Sequence, residues 1–227
     1  MSQTDQNKLK QPKKQNQRKQ ALPKELPLLL DLDQSASGNF LNNKPLQIAI
    51  LLLISFGFYF NTILHDYALD DVIVITKNKF TLLGFSGIVD LLTKDTFDGY
   101  TTVKDLVAGG RYRPLSVVTF ALEIGFFGQN HPAISHFVNV LLYCSIVLML
   151  FLFLDKFLFS KNSLLSFLST LIFAVHPIHT EVVANIKSRD ELMALLLTLI
   201  SLYLFFTYLL NRKRKKYLIF ILATTSV

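Results

Sequence analysis

Three groups of residues in this 227-residue chain have the types and spacing to do chemistry. The first is His65-Asp66-Tyr67-Ala68-Leu69-Asp70-Asp71, directly after an apolar run. Adjacent carboxylates at the edge of a membrane are costly unless they are solvated, paired or used. One reading is a polar cap on a spanning helix. The other is a general base, because desolvation raises a carboxylate's pKa and fits it to take a proton from a hydroxyl. The second group is Gly109-Gly110-Arg111-Tyr112-Arg113-Pro114-Leu115. Its two guanidinium forks match phosphate oxygens, and a helix start beside them adds partial positive charge. Snorkelling arginines at headgroup level are the plainer alternative. The third group is His176-Pro177-Ile178-His179-Thr180-Glu181, with Arg189-Asp190-Glu191 closing the same turn. Histidines three apart on one helix face would ligate a metal together with Glu181. The HExxH signature is absent and only one carboxylate stands nearby, so these residues are read as lining a polar site, with no metal or other cofactor expected.

The elements that must position these groups are apolar. Hydrophobic residues make up 51% of the chain and charged residues 17%, against about a quarter in soluble domains. A single cysteine, Cys144, excludes a disulfide framework and a cysteine metal knuckle. The net charge of +7 sits in blocks beside apolar runs, which argues against a nucleic-acid partner. Runs at 45–64, 136–154, 164–178 and 191–210 read as spans, since about 20 apolar residues cross the hydrocarbon core. A fifth run begins at Tyr217 and ends at Val227, which leads us to expect the N-terminal part of a longer protein. The pattern predicts an all-α polytopic membrane protein.

Lys and Arg orient it. Residues 1–44, the 155–162 turn and the RKRKK cluster at 212–216 carry 15 of them, and the other side carries 8. The positive-inside rule then makes the N-terminus cytoplasmic and puts 65–135 and 176–190 outside. The tail at 1–44, rich in Gln, Lys, Asn and Pro in its first half, predicts a disordered basic segment ahead of an uncleaved signal anchor, able to meet anionic lipids. The outer loop, 65–135, carries 7 acidic residues between Asp66 and Asp105. Lys79–Leu92 and Pro114–Gly128 read as helices lying along the outer surface.

Four motifs in order carry a resemblance: Leu69-Asp70-Asp71-Val72-Ile73 with Asn78; Gly110 to Ser116; His136 to Tyr143; and Phe173 to Glu181. Together they resemble the N-terminal part of the transmembrane and tetratricopeptide-repeat O-mannosyltransferases and their bacterial relatives, integral membrane glycosyltransferases of the GT-C superfamily. The resemblance implies a GT-C-like membrane domain over 45–227, in a bacterial inner membrane or the ER membrane. It implies inverting transfer of a sugar from a polyprenyl-phosphate donor to a hydroxyl on a protein or glycan at the outer face, with a repeat domain following in the family. It implies Asp70 as catalytic base with Asp71 beside it, Arg113 and then Arg111 for the lipid phosphate, and His176, His179 and Glu181 orienting substrates. A transporter would instead place ionisable groups or broken helices near mid-membrane. A non-catalytic anchor would have no use for the acidic loop or the arginines.

Overall fold

The computed structural model describes residues 43–68, 70–100 and 112–210. Among these residues eight α-helices follow in order: α1 Lys44–Tyr59, α2 Lys79–Leu82, α3 Ile88–Thr93, α4 Pro114–Phe127, α5 Pro132–Phe153, α6 Ser163–Val175, α7 His179–Ala184 and α8 Arg189–Leu210. Among the described residues there is no strand, so the chain is an all-α membrane protein. Three stretches of the described residues are long and apolar enough to cross a membrane: Lys44–Leu64, Pro132–Leu158 and Ile186–Leu210. The fourth expected span is the shorter α6, whose 13 residues cover only about 20 Å. His176-Pro177 stops it, because the residue before a proline is pushed out of helical geometry; His176 has ψ 126°. The expected basic tail, apart from Asn43 and Lys44, lies outside the described residues, as do Arg111, the RKRKK cluster and the fifth span.

Helix starts follow from local chemistry. The Asn43 side chain accepts from the Leu46 N–H, and Asn162 caps α6 by accepting from the Leu165 N–H at 3.1 Å. Pro45, Pro114 and Pro132 stand in the first turns of α1, α4 and α5, where a missing N–H costs nothing.

The spans alternate. At one end Lys44 of α1 pairs with Asp155 just past α5 (2.7 Å), Ser163 of α6 donates to Gln47 (2.8 Å), and Lys156 reaches Thr207 near the end of α8 (3.0 Å). The loop after α1, the starts of α5 and α8, and the end of α6 meet at the other. Between them Leu51, Tyr59, Val140, Tyr143, Val147, Phe167, Ala174 and Leu199 form the main core. The Tyr143 hydroxyl donates to the Ala174 carbonyl at 2.9 Å, tying α5 to α6.

The expected interfacial helix over 79–92 is instead three pieces: α2, a 3₁₀ turn at Gly84–Gly87 and α3. Gly84 has φ +58°, a conformation that costs other residues strain, and a Cβ there would sit 3.1 Å from Gly125 Cα of α4. This close crossing is why the helix breaks. The second expected surface helix forms as α4 and stops at Gly128, φ +86°. Buried Asn78 organises the loop between α1 and α2. Its Oδ1 caps Phe80 and Thr81, and its Nδ2 donates to the carbonyls of Ile73 (3.2 Å) and Thr96 (3.0 Å). Leu83, Phe85, Val89, Leu92, Phe126 and Phe127 stay exposed on α2–α4, the apolar face needed to lie in a headgroup layer.

Orientation is testable in a Cys144→Ser background. Asp98→Cys should react with an impermeant thiol reagent applied from outside, and Arg214→Cys should not; the reverse pattern would invert the topology.

Candidate active site

The geometry of the site rests on five residues, Ile186 to Asp190, at the entry to α8. Each charged member holds a different part of this end of the molecule. The Lys187 ammonium pairs with Asp70 at 2.8 Å, while its backbone N–H donates to Asp71 Oδ1 at 2.9 Å. Asp190 forms an ion pair with Arg113 at the start of α4. Arg189 turns inward.

Asp70 and Asp71 are adjacent in sequence but opposite in environment. Asp71 is fully buried, and its second oxygen accepts from the Ala68 N–H at 2.7 Å, closing the turn after the first span. Burial pushes its carboxyl above the usual carboxylate range, opposed by these two backbone donors. Asp70 keeps 54% of its side chain exposed. Beside them Tyr67 is half-buried, and burial raises its phenol above the ordinary value.

Arg189 is fully buried and serves four acceptors. Its Nε donates to Asn139 Oδ1 (2.8 Å), Nη1 to Thr119 Oγ1 (2.8 Å) and to Glu123, and Nη2 to the Ser135 carbonyl (2.9 Å). The guanidinium also lies 4.2 Å from the Phe120 ring centroid. Ser135 donates to the other Glu123 oxygen, and Asn139 Nδ2 donates to the Asn185 carbonyl at 3.2 Å. This network fastens α4, which carries Arg113 at its entry, to α5 and α8. Buried His136 lies edge-on to His65, 6.1 Å between centroids, and among the described residues neither of its ring nitrogens meets a hydrogen-bond partner.

The third group is arranged differently from the expectation. His176 lies outside the helix, which starts only at His179, so the two histidines do not share a helix face; their rings stand 6.1 Å apart. His176 Nδ1 accepts from the Ile178 N–H at 3.2 Å. His179 packs against the Phe173 ring, tilted by 43° with centroids 4.3 Å apart, and burial and the neighbouring His176 hold its pKa below the usual value. Glu181 is exposed. Among the described residues no group of three or more His, Cys, Asp or Glu is placed to hold a metal ion.

Arg113 stands at the mouth of a groove of about 690 Å³ between the start of α4 and α8. Asp190, Glu191 and Ser116 share the polar end, and Met193, Ala194, Leu197 and Leu202 line a mostly apolar length that also carries the hydroxyls of Thr198 and Ser201.

Glu123, Asn139 and Lys187 were not singled out by type and spacing as a site, and Arg189 was read only as part of the segment that closes the third group's turn. A signal existed for two of them: Glu123 is the lone charge in α4, and Asn139 is a polar residue early in a span, both of which ask for a buried partner.

A helical membrane protein with a charged site at one end, braced by a buried arginine, defines the class. The relatives define it further. The chain is 49% identical over 90 residues to human protein O-mannosyl-transferase TMTC1, covering 40% of this chain and 10% of that protein. It is 35% identical over 150 residues to mouse protein O-mannosyl-transferase TMTC4, covering 60% of this chain and 19% of that protein. It is 31% identical over 160 residues to the Drosophila melanogaster protein O-mannosyl-transferase Tmtc1, covering 70% of this chain and 18% of that protein. The resemblance carried by the four motifs therefore holds: homologues of this chain are protein O-mannosyl-transferases. The chain spans 10–19% of the length of these relatives. No family model and no solved structure matches it.

Proposed function

We propose that this chain forms part of an inverting GT-C-type glycosyltransferase that moves a mannose from a polyprenyl-phosphate carrier to a protein hydroxyl at the outer, non-cytoplasmic face. The observation that carries this reading is the groove with a guanidinium at its mouth and an apolar length along α8. An anionic headgroup on a long hydrocarbon tail suits that shape. Asp70, exposed at the same end of the molecule, takes the proton of the acceptor hydroxyl. The acceptor oxygen forms a bond to the anomeric carbon from the face opposite the leaving group, and the bond to the phosphate oxygen breaks. The departing lipid phosphate gains negative charge, which Arg113 meets. Arg111, just upstream, is a second candidate for that charge. His176, His179 and Glu181, on the neighbouring turn, orient the substrates. The O-mannosyl-transferase names of the relatives support sugar, acceptor class and reaction.

Arg113→Ala in the full-length protein should raise the donor KM about 10- to 100-fold, the worth of one charge-assisted hydrogen bond to a phosphate that is charged before and during reaction. Arg113→Lys should recover only part of it, because an ammonium cannot form the bidentate fork. Transfer from radiolabelled polyprenyl-phosphate mannose in membranes, at matched expression, reads this out. An unchanged donor KM for Arg113→Ala would remove the arginine from the donor site and with it the reading of the groove.

A further inference from the structure

We infer that Lys187 is a positioning residue that sets the Asp70 carboxylate for catalysis, an inference that rests on the reading of Asp70 as the base. Two independent contacts carry it. The Lys187 ammonium holds Asp70 Oδ2 at 2.8 Å, and the backbone N–H of the same residue holds Asp71 Oδ1 at 2.9 Å. One residue of the third outer segment thus grips both carboxylates of the first, 116 and 117 positions away. Asn185 Oδ1 also accepts from that backbone N–H, at 3.2 Å, which fixes the direction in which it points.

The two grips divide the labour. The backbone bond to buried Asp71 sets where the 65–71 turn sits, whatever side chain position 187 carries. The ammonium then selects one orientation of Asp70, whose carboxylate is otherwise free to sample several rotamers at an exposed site. Lys187 itself is about three-quarters buried, so its cation is held in place and less screened than a surface lysine's. A base must lie within hydrogen-bond reach of the proton that it removes, and misplacement by about 1 Å is enough to lose it. Lys187 touches neither donor nor acceptor in this scheme and acts through Asp70.

The test is a double-mutant cycle in full-length protein, with radiolabelled polyprenyl-phosphate mannose as the probe. Lys187→Met should lower kcat about 10- to 100-fold, within the worth of one charge-assisted hydrogen bond, and leave the donor KM within about twofold. Lys187→Arg should retain transfer within a few-fold, since it keeps a cation within reach of Asp70. In an Asp70→Asn background, Lys187→Met should cost nothing more, because the group it orients has lost its function. Protease sensitivity of the outer loop should match wild type in Lys187→Met, since the backbone grip on Asp71 persists, so a loss of rate reports the side chain and not unfolding. A rate loss additive with Asp70→Asn, a raised donor KM, or a loop opened to protease would each overturn the positioning role while leaving Asp70 as base. Wild-type transfer by Asp70→Asn alone would instead remove the base, and the inference with it.

Discussion

Asp70→Asn in the full-length protein should lower kcat for sugar transfer by about 10²–10⁴-fold, the usual worth of a positioned general base. The substitution keeps the size of the side chain and an oxygen able to accept from Lys187, but an amide does not take a proton. Insertion and donor binding should therefore be nearly unchanged, and the loss should fall on the chemical step. Asp71→Asn makes an instructive contrast. Asp71 is buried and both its oxygens accept backbone N–H donors, from Ala68 and Lys187. Replacing one oxygen by an amide NH₂ sets donor against donor, so this variant should loosen the turn that carries Asp70, and its cost should appear in outer-loop protease sensitivity as well as in rate. Asp70→Asn should leave the protease pattern as in wild type. The measurement is transfer from radiolabelled donor in membranes at matched expression; a wild-type rate for Asp70→Asn would return this carboxylate to being a solvated partner of Lys187.

The contrast between the two aspartates marks where sequence reading stops. Their placement after the first span was legible, because an uncharged run at 45–64 must end where polar residues begin. Which of the two faces inward was not, because burial here depends on N–H donors at 68 and 187, one of them a hundred residues distant. Two further long apolar helices, at Pro132–Leu158 and Ile186–Leu210, were legible for the same reason, whereas the run at 164–178 gives only the 13-residue α6. The break within 79–92 had its signal in Gly84 and Gly87, but its cause, the approach of Gly84 to Gly125, is tertiary. The histidine pair was misplaced because spacing suggests a shared face only when both residues are helical, and Pro177 follows His176 directly. The four motifs were legible as an ordered set, while the contacts that hold them, three of them to the 187–190 segment outside every motif, were not. In the structure Asp71 of the first motif meets Lys187, Arg113 of the second meets Asp190, Asn139 of the third accepts from Arg189, and Tyr143 donates to Ala174 of the fourth.

The largest stability effects should come from the pair that no motif announced. Glu123 and Arg189 are joined by an ion pair in which the guanidinium is fully buried and the carboxylate nearly so. Removing one partner of a buried pair leaves the other charge uncompensated and costs about 3–5 kcal/mol. Glu123→Leu strands the guanidinium, although Asn139, Thr119 and the Ser135 carbonyl still accept from it. Arg189→Leu strands the carboxylate with Ser135 as its remaining donor, and frees acceptors on two helices at once. Arg189→Leu should therefore be the worse of the two. At about 2–4 °C per kcal/mol for a domain of this size, thermal unfolding in detergent should move down by roughly 6–20 °C for each single change. The double change Glu123→Leu/Arg189→Leu should fall by much less than the sum, because no charge is then left buried without a partner. Arg189→Lys should not rescue, since an ammonium on a flexible stem has no planar fork with which to bridge α4 and α5. The double variant separates packing from position. If it recovers the unfolding temperature but not the rate, the pair serves to hold α4, and Arg113 with it, against α8. A loss in the double variant equal to the sum of the two single losses would show instead that Glu123 and Arg189 stabilise their helices independently, and that the brace between the groove and the core lies elsewhere.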